Sequence, residues 1–245
     1  MASTPKGTPI AHGMTSSPRP SLNHAMNPRK AVASADDKPA PKDAAPASPS
    51  VEPDQQPKRL ADCRRCALWS NATQPVNGAG PKPAPIMMVG EQPGDQEDLQ
   101  GMPFVGPAGQ LLDDALQKAG VARRDVYVTN AVKHFKWTPR GKRRMHKTPA
   151  QREIDACHYW LEHELSSVAP KVIVALGATA LKAILEDRNA KLQAVVGKVL
   201  EHGGRHVVPT FHPSFVLRAP DEATRRRAYA AIVAALREAG RLASQ

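Results

Sequence analysis

Residues 170–177 read Pro-Lys-Val-Ile-Val-Ala-Leu-Gly. The stretch is apolar throughout its middle, without the alternation of a half-exposed strand, and it is bounded by proline and glycine. A run of this kind is a strand covered on both faces, the signature of a parallel sheet packed between helices. Three further runs repeat it. Ile86–Val89 lies between Pro85 and Gly90, and Val126–Thr129 between Asp125 and Asn130; His206–Thr210 is the weakest, because Pro209 removes a ladder donor. Helical patterns fill the intervals: Ala108–Lys118 with Leu111, Leu112, Ala115 and Leu116 on one face, Pro149–Val168, Ala178–Leu185 and Glu222–Ala239. The alternation predicts an α/β fold of three layers, α/β/α, around a central, mostly parallel four-stranded sheet. Ligands of such sheets bind beyond the carboxyl ends of the strands. Polar signatures follow three of the four strands there.

Residues 1–57 differ from the rest of the chain. They hold 11 of the 24 prolines and no Phe, Trp or Tyr. Chain this poor in large side chains cannot offset its ordering entropy, so a disordered Pro/Ala/Ser-rich tail is expected, followed by one domain over 58–245. The net charge is +11, nearly all of it in that domain. So basic a domain suggests an anionic partner, most often nucleic acid. Three cysteines make no disulfide framework. With no secretory apolar segment and no apolar run of 18 residues, a reduced, cytoplasmic protein without a membrane span is expected.

After the first strand comes Gly90-Glu91-Gln92-Pro93-Gly94-Asp95-Gln96-Glu97-Asp98, then Met102-Pro103-Phe104-Val105-Gly106-Pro107-Ala108-Gly109. The first segment reads as a tight acidic loop at a strand end. Gly106 and Gly109 allow close backbone approach at a helix start, and the GxxxxGK[ST] pattern of a phosphate loop is missing. Phe104 is either a core anchor or a platform for a planar base. After the second strand, the Asn130 amide presents one donor and one acceptor in a plane, matching a pyrimidine edge. After the fourth come Phe211-His212-Pro213-Ser214. Asparagine is common at strand ends, and a structural turn explains residues 211–214 as well as a site does.

Cys63-Arg64-Arg65-Cys66 is a CxxC that follows the tail rather than a strand, which favours metal over a thioredoxin-type redox site. Cys157 supplies a third thiol. A structural zinc or an iron–sulfur cluster ordinarily takes four ligands, so another residue type must complete the set. His134 is the natural candidate. His158 is its rival but neighbours Cys157, and adjacent helix residues point about 100° apart. Lys136 to Lys147 (KWTPRGKRRMHK) holds six Lys/Arg and His146 in twelve residues. Read blandly it is a basic loop on phosphates. The imidazole in its midst suggests more, because the surrounding cations favour its uncharged, nucleophilic form.

Together these stretches resemble the uracil-DNA glycosylase superfamily over about Cys63 to Arg218. GEQPGDQED with GMPFVGPAG looks like the first motif in its iron–sulfur family 4 form, and HPS at 212–214 looks like the second. TNAVKH, with the insertion ending Lys142-Arg143-Arg144-Met145-His146, is similar to the UdgX branch. The chain departs from family 4 in placing His134 where that family has a cysteine, and Met145 stands where a β-branched residue is expected.

The resemblance implies excision of uracil from DNA, followed in the UdgX branch by covalent capture of sugar C1′ through the loop histidine, in a single turnover. His146 would be the nucleophile, Glu91 would stabilise the sugar cation or activate His146, and His212 would stabilise the departing base. Phe104 would stack on uracil and Asn130 would bond its Watson–Crick edge. Gln92 would line the sugar pocket, with Asp95 also facing substrate. Ser214, Lys142, Arg143 and Arg144 would hold phosphates. Cys63, Cys66, Cys157 and His134 would bind a structural [4Fe–4S] cluster. The expected partner is uracil-containing DNA, single-stranded by preference, and the expected protein is a bacterial monomer. Two other readings stand beside this one: an ordinary family 4 glycosylase that turns over, and a non-enzymatic, zinc-bearing DNA-binding module.

Overall fold

The computed structural model describes residues 56–245. The expected tail therefore lies outside the described residues, apart from Gln56 and Pro57. The elements run β1 (Ile86–Gly90), α1 (Asp95–Gln100), α2 (Pro107–Ala119), β2 (Val126–Asn130), the hairpin β3 (Trp137–Arg140) and β4 (Arg143–His146), α3 (Gln151–Val168), β5 (Val172–Leu176), α4 (Ala178–Leu185), α5 (Leu192–Val195), β6 (Leu200–His202), β7 (Arg205–Thr210), α6 (Pro213–Leu217) and α7 (Glu222–Ala243).

The central sheet has the order β2-β1-β5-β7-β6. Its first four strands are parallel and are the four expected. All residues of β1, β2 and β5 are buried, which is why they show no alternation. Alternate residues still serve different cores. Met88, Val128 and Val174 pack with α2 and α7 on one face. Met87, Tyr127 and Ile173 pack with α3 and α4 on the other. The three layers follow directly.

The sheet has five strands, not four. The fifth, β6, is a three-residue antiparallel edge strand (Leu-Glu-His) paired with β7. It is too short and polar to stand out, though the Gly203-Gly204 turn behind it, both at positive φ, is a strong hairpin cue. The basic stretch, expected as a loop, is also ordered. β3 and β4 pair antiparallel, with Trp137 opposite His146 and Arg140 opposite Arg143. Gly141, at φ 60°, takes the tight turn. Among the described residues no helix is long and apolar enough to cross a membrane.

Candidate active site

The chain leaves β1 for β2 on one side, then returns to place β5 on the other. The ends of β1 and β5 therefore diverge at the switch point where α/β sheets open a crevice. A cavity of about 560 Å³ lies there, walled by Glu91, Gln92, Phe104, Asn130, His146 and His212 among others. Asp95 and Ser214 also line it. The sequence-expected pocket residues thus come together. Lys142 and Arg143 do not line it and stand exposed at the hairpin tip.

Glu91 follows β1 and spans the crevice. One carboxylate oxygen accepts a hydrogen bond from Thr179 Oγ1, at the start of α4 behind β5. The other lies 3.2 Å from His146 Nε2. Burial raises the Glu91 carboxyl, but the hydrogen bonds from His146 and Thr179 outweigh it and hold the group below the usual carboxylate range. Thr179 carries no sequence signal beyond following the glycine at a strand end.

Asn130 ends β2 directly beside Gly90 in the register. Its Oδ1 is buried without a hydrogen-bond partner. A Cβ on Gly90 would lie 2.3 Å from that oxygen and 2.7 Å from Phe104 Cζ, so glycine is what lets the amide and the ring flank one spot. Phe104 is the core anchor expected of it, and it also faces the cavity. Its side chain belongs to the core, yet its ring lines the cavity and stacks on His212 at 6.0 Å between centroids. Its backbone sits at φ 57°, unusual for a bulky residue. Gly109 secures it, because a Cβ there would collide with the Phe104 carbonyl oxygen.

His212 caps α6, and its Nδ1 accepts from the Ser214 amide at 3.1 Å. The Ser214 hydroxyl lies 2.8 Å from the same nitrogen. An acceptor Nδ1 places the ring proton on Nε2. Ser214, which also lines the cavity, sets the tautomer of His212. Burial, which outweighs the opposing pull of Glu91, pushes His212 down to about 4. A histidine held neutral in the fold stabilises the protein fully above its unfolded value of 6.5 and loses that contribution as pH falls towards 4. Wild-type protein is therefore expected to lose about 2 kcal/mol more unfolding free energy than His212→Asn between about pH 7.5 and about pH 5. Urea titrations at the two pH values check this, and equal losses would refute it.

Three of the expected contact residues, Gln92, Asp95 and Arg144, also hold the hairpin in place. The Gln92 amide holds the hairpin base: Oε1 accepts from Lys136 N at 3.0 Å, and Nε2 donates to the carbonyls of Lys136 and Lys147. Arg144 donates to Asp95 Oδ1 at 2.6 Å and also to Asp98. It lies over the rings of Phe135 and Trp137 as well. Asp95 and Arg144 are thus partners that latch the hairpin to α1. Lys136 adds an ion pair to Glu153 of α3 at 2.8 Å. The hairpin that carries His146 is consequently fixed at its base on three sides, with only its tip free for phosphates.

Beneath Asn130 lies Lys133, a residue with no signal in the sequence. It is fully buried, and its Nζ donates to Glu164 Oε2 (2.6 Å), Thr129 Oγ1 (2.7 Å) and the Asn130 carbonyl (2.7 Å). Glu164 also accepts from Thr129, Tyr127 and Gly78. Burial raises the Glu164 carboxyl, but the Lys133 charge and these bonds win and keep it ionised.

Cys63, Cys66 and Cys157 are free thiols, two of them buried. Both residues of the CxxC act electrostatically on Cys157, although some ninety residues of chain separate them. Arg65 fastens the CxxC to α3 by donating to the Ala156 carbonyl. Lys133 N donates to Cys157 Sγ at 3.2 Å, and His134, the next residue in the chain, is buried. His158 turns away, towards Glu162 and Glu186. Among the described residues no three His, Cys, Asp or Glu side chains close around one metal ion. The thiolates of a four-iron cluster bind different irons and stand further apart than ligands of one ion. Three cysteines that act on one another, two of them buried, suit such a cluster.

The family model for the uracil DNA glycosylase superfamily matches residues 77–237. The chain belongs to that superfamily. It is 41% identical over 170 residues to a type-4 uracil-DNA glycosylase of Thermotoga maritima, covering 69% of this chain and 85% of the relative. It is 39% identical to a type-4 uracil-DNA glycosylase of Pyrobaculum aerophilum, covering 66% and 82%. A type-5 uracil-DNA glycosylase of the same organism is 34% identical, over 62% of this chain and 70% of the relative. The matched residues include those that wall the cavity at the β1–β5 switch point.

Proposed function

We propose that this protein excises uracil from DNA and is then captured covalently on the sugar through His146. The observation that carries the reading is the His146–Glu91 contact at 3.2 Å, inside a pocket whose wall holds the unpartnered Asn130 oxygen. A base whose ring N–H faces Asn130 Oδ1 satisfies that acceptor, with Phe104 against its plane. The bond from C1′ to the base nitrogen breaks with its electron pair leaving on uracil. Neutral His212 donates from Nε2 to the departing base, and ionised Glu91 stabilises the positive sugar. The His146 ring then gives an electron pair to C1′, and its N–H proton passes to the nearby carboxylate. Uracil takes up a proton from water. The alkylated imidazole is a poor leaving group, so turnover is single.

A turnover glycosylase is the second reading, favoured by the type-4 relatives. There His146 only contacts DNA and water attacks the sugar. A denaturing gel of protein mixed with uracil-containing oligonucleotide separates the two. A band that survives heat and detergent supports capture, and free uracil in excess of protein without such a band supports turnover. Single-stranded substrate should serve well, since flipping then costs little unpairing energy.

Cys63, Cys66, Cys157 and His134 would hold a [4Fe–4S] cluster in this reading. Bound there, it would serve structurally, joining the CxxC segment to α3 through Cys157 and to the turn after Asn130 through His134. His134→Ala is expected to lose most of the visible absorbance and iron, and His158→Ala to keep both. The opposite pattern in absorbance and iron assays would move the fourth ligand to His158.

A further inference from the structure

Two indole N–H groups, each three residues after a cysteine of the candidate cluster site, have no partner. Trp69 Nε1 and Trp160 Nε1 are shut off from solvent and make no hydrogen bond. Unsatisfied buried donors are rare and call for an explanation. The other orphan that faces a site, Asn130 Oδ1, already has one in the substrate.

The positions of the two indoles share a feature. Trp160 stands three residues after Cys157 on α3, a spacing that puts side chains on the same face. It packs against the core that contains Cys157 and is bordered by Cys66. Trp69 stands three residues after Cys66, in the helical turn Ala67–Ser70 that Cys66 caps. Its ring is covered by the Arg64 guanidinium, 4.2 Å from the ring centroid, and Arg64 lies between the two cysteines of the CxxC. Each orphan donor is thus tied by spacing to one of the thiols.

We propose that Trp69 and Trp160 donate their indole N–H groups to sulfur atoms of the cluster held by the three cysteines, which rests on the cluster reading of the cysteine site. Thiolate and sulfide sulfurs accept hydrogen bonds, and such bonds set a cluster's potential. Reduction adds negative charge to the cluster, so a donor favours the reduced form. The two tryptophans then hold the cluster in place and raise its reduction potential.

The test uses the full-length, cluster-loaded protein. Trp69→Phe and Trp160→Phe keep an aromatic ring and remove only the donor. In the double variant, at full iron content, the reduction midpoint should move to a more negative value than wild type. Wild-type protein grown with indole-¹⁵N tryptophan should show a ¹⁵N coupling to the reduced cluster by pulsed electron paramagnetic resonance, whether or not the variants fold. An unmoved midpoint in an iron-replete double variant, or no ¹⁵N coupling in the labelled protein, would overturn the proposal. A colourless, iron-free wild type would instead defeat the cluster reading on which it stands.

Discussion

Serine in place of His146 is expected to abolish the denaturation-resistant protein–DNA band completely and to turn the protein into a multiple-turnover glycosylase. The reason is geometric. His146 is the side chain of the hairpin that reaches Glu91, and Arg144, two residues before it, is fully engaged by Asp95 and Asp98. Taking the ring away leaves Glu91 still fixed by Thr179 and leaves the Asn130, Phe104 and His212 side of the pocket intact. Base departure should therefore continue, while water reaches the sugar cation in place of imidazole. The check is uracil released per protein molecule, expected to exceed one for His146→Ser and to stop at one for wild type.

Lys133→Met is expected to destabilise the fold severely. The ammonium is fully buried and compensates a carboxylate that is itself almost entirely buried. Removing one partner of such a pair leaves the other charged in the interior, at about 3–5 kcal/mol. For a domain of this size that lowers the melting temperature by about 10 °C. The pairing of Lys133→Met with Glu164→Leu should recover most of the loss, because two apolar groups leave no orphan charge. Thermal unfolding of the single and double variants checks both statements, and an undiminished melting temperature in Lys133→Met would contradict them.

The buried strands are legible in the sequence because burial on both faces leaves its mark in composition. PIMMVG and KVIVALG have no alternative reading as surface chain, and the α/β order follows from them. The pocket is legible for a related reason: its residues cluster at strand ends, where an α/β sheet exposes them. What escapes is pairing. The hairpin β3–β4 has no apolar alternation, because it packs through Arg144 and the Gln92 amide and not through a hydrophobic face. The acidic loop after β1 is partly a six-residue helix, α1. Glu97 there serves the backbone amides of Gly94 and Gly106, while Asp95 and Asp98 serve Arg144. Carboxylates that look aimed at a substrate are mostly holding the structure around it. Lys133 escapes notice because a lysine just beyond a strand reads as solvent-exposed. Only the three-dimensional closeness of Glu164, 31 positions away, makes its burial tolerable.

The covalent step is the central claim, and one gel tests it most directly. Wild-type protein is mixed with an excess of a single-stranded oligonucleotide containing one uracil, boiled in detergent and resolved under denaturing conditions. Covalent capture predicts a slower band holding protein and DNA in equal numbers, with one uracil released for each protein consumed. Uracil released many times over by each protein, with no band surviving denaturation, would contradict it.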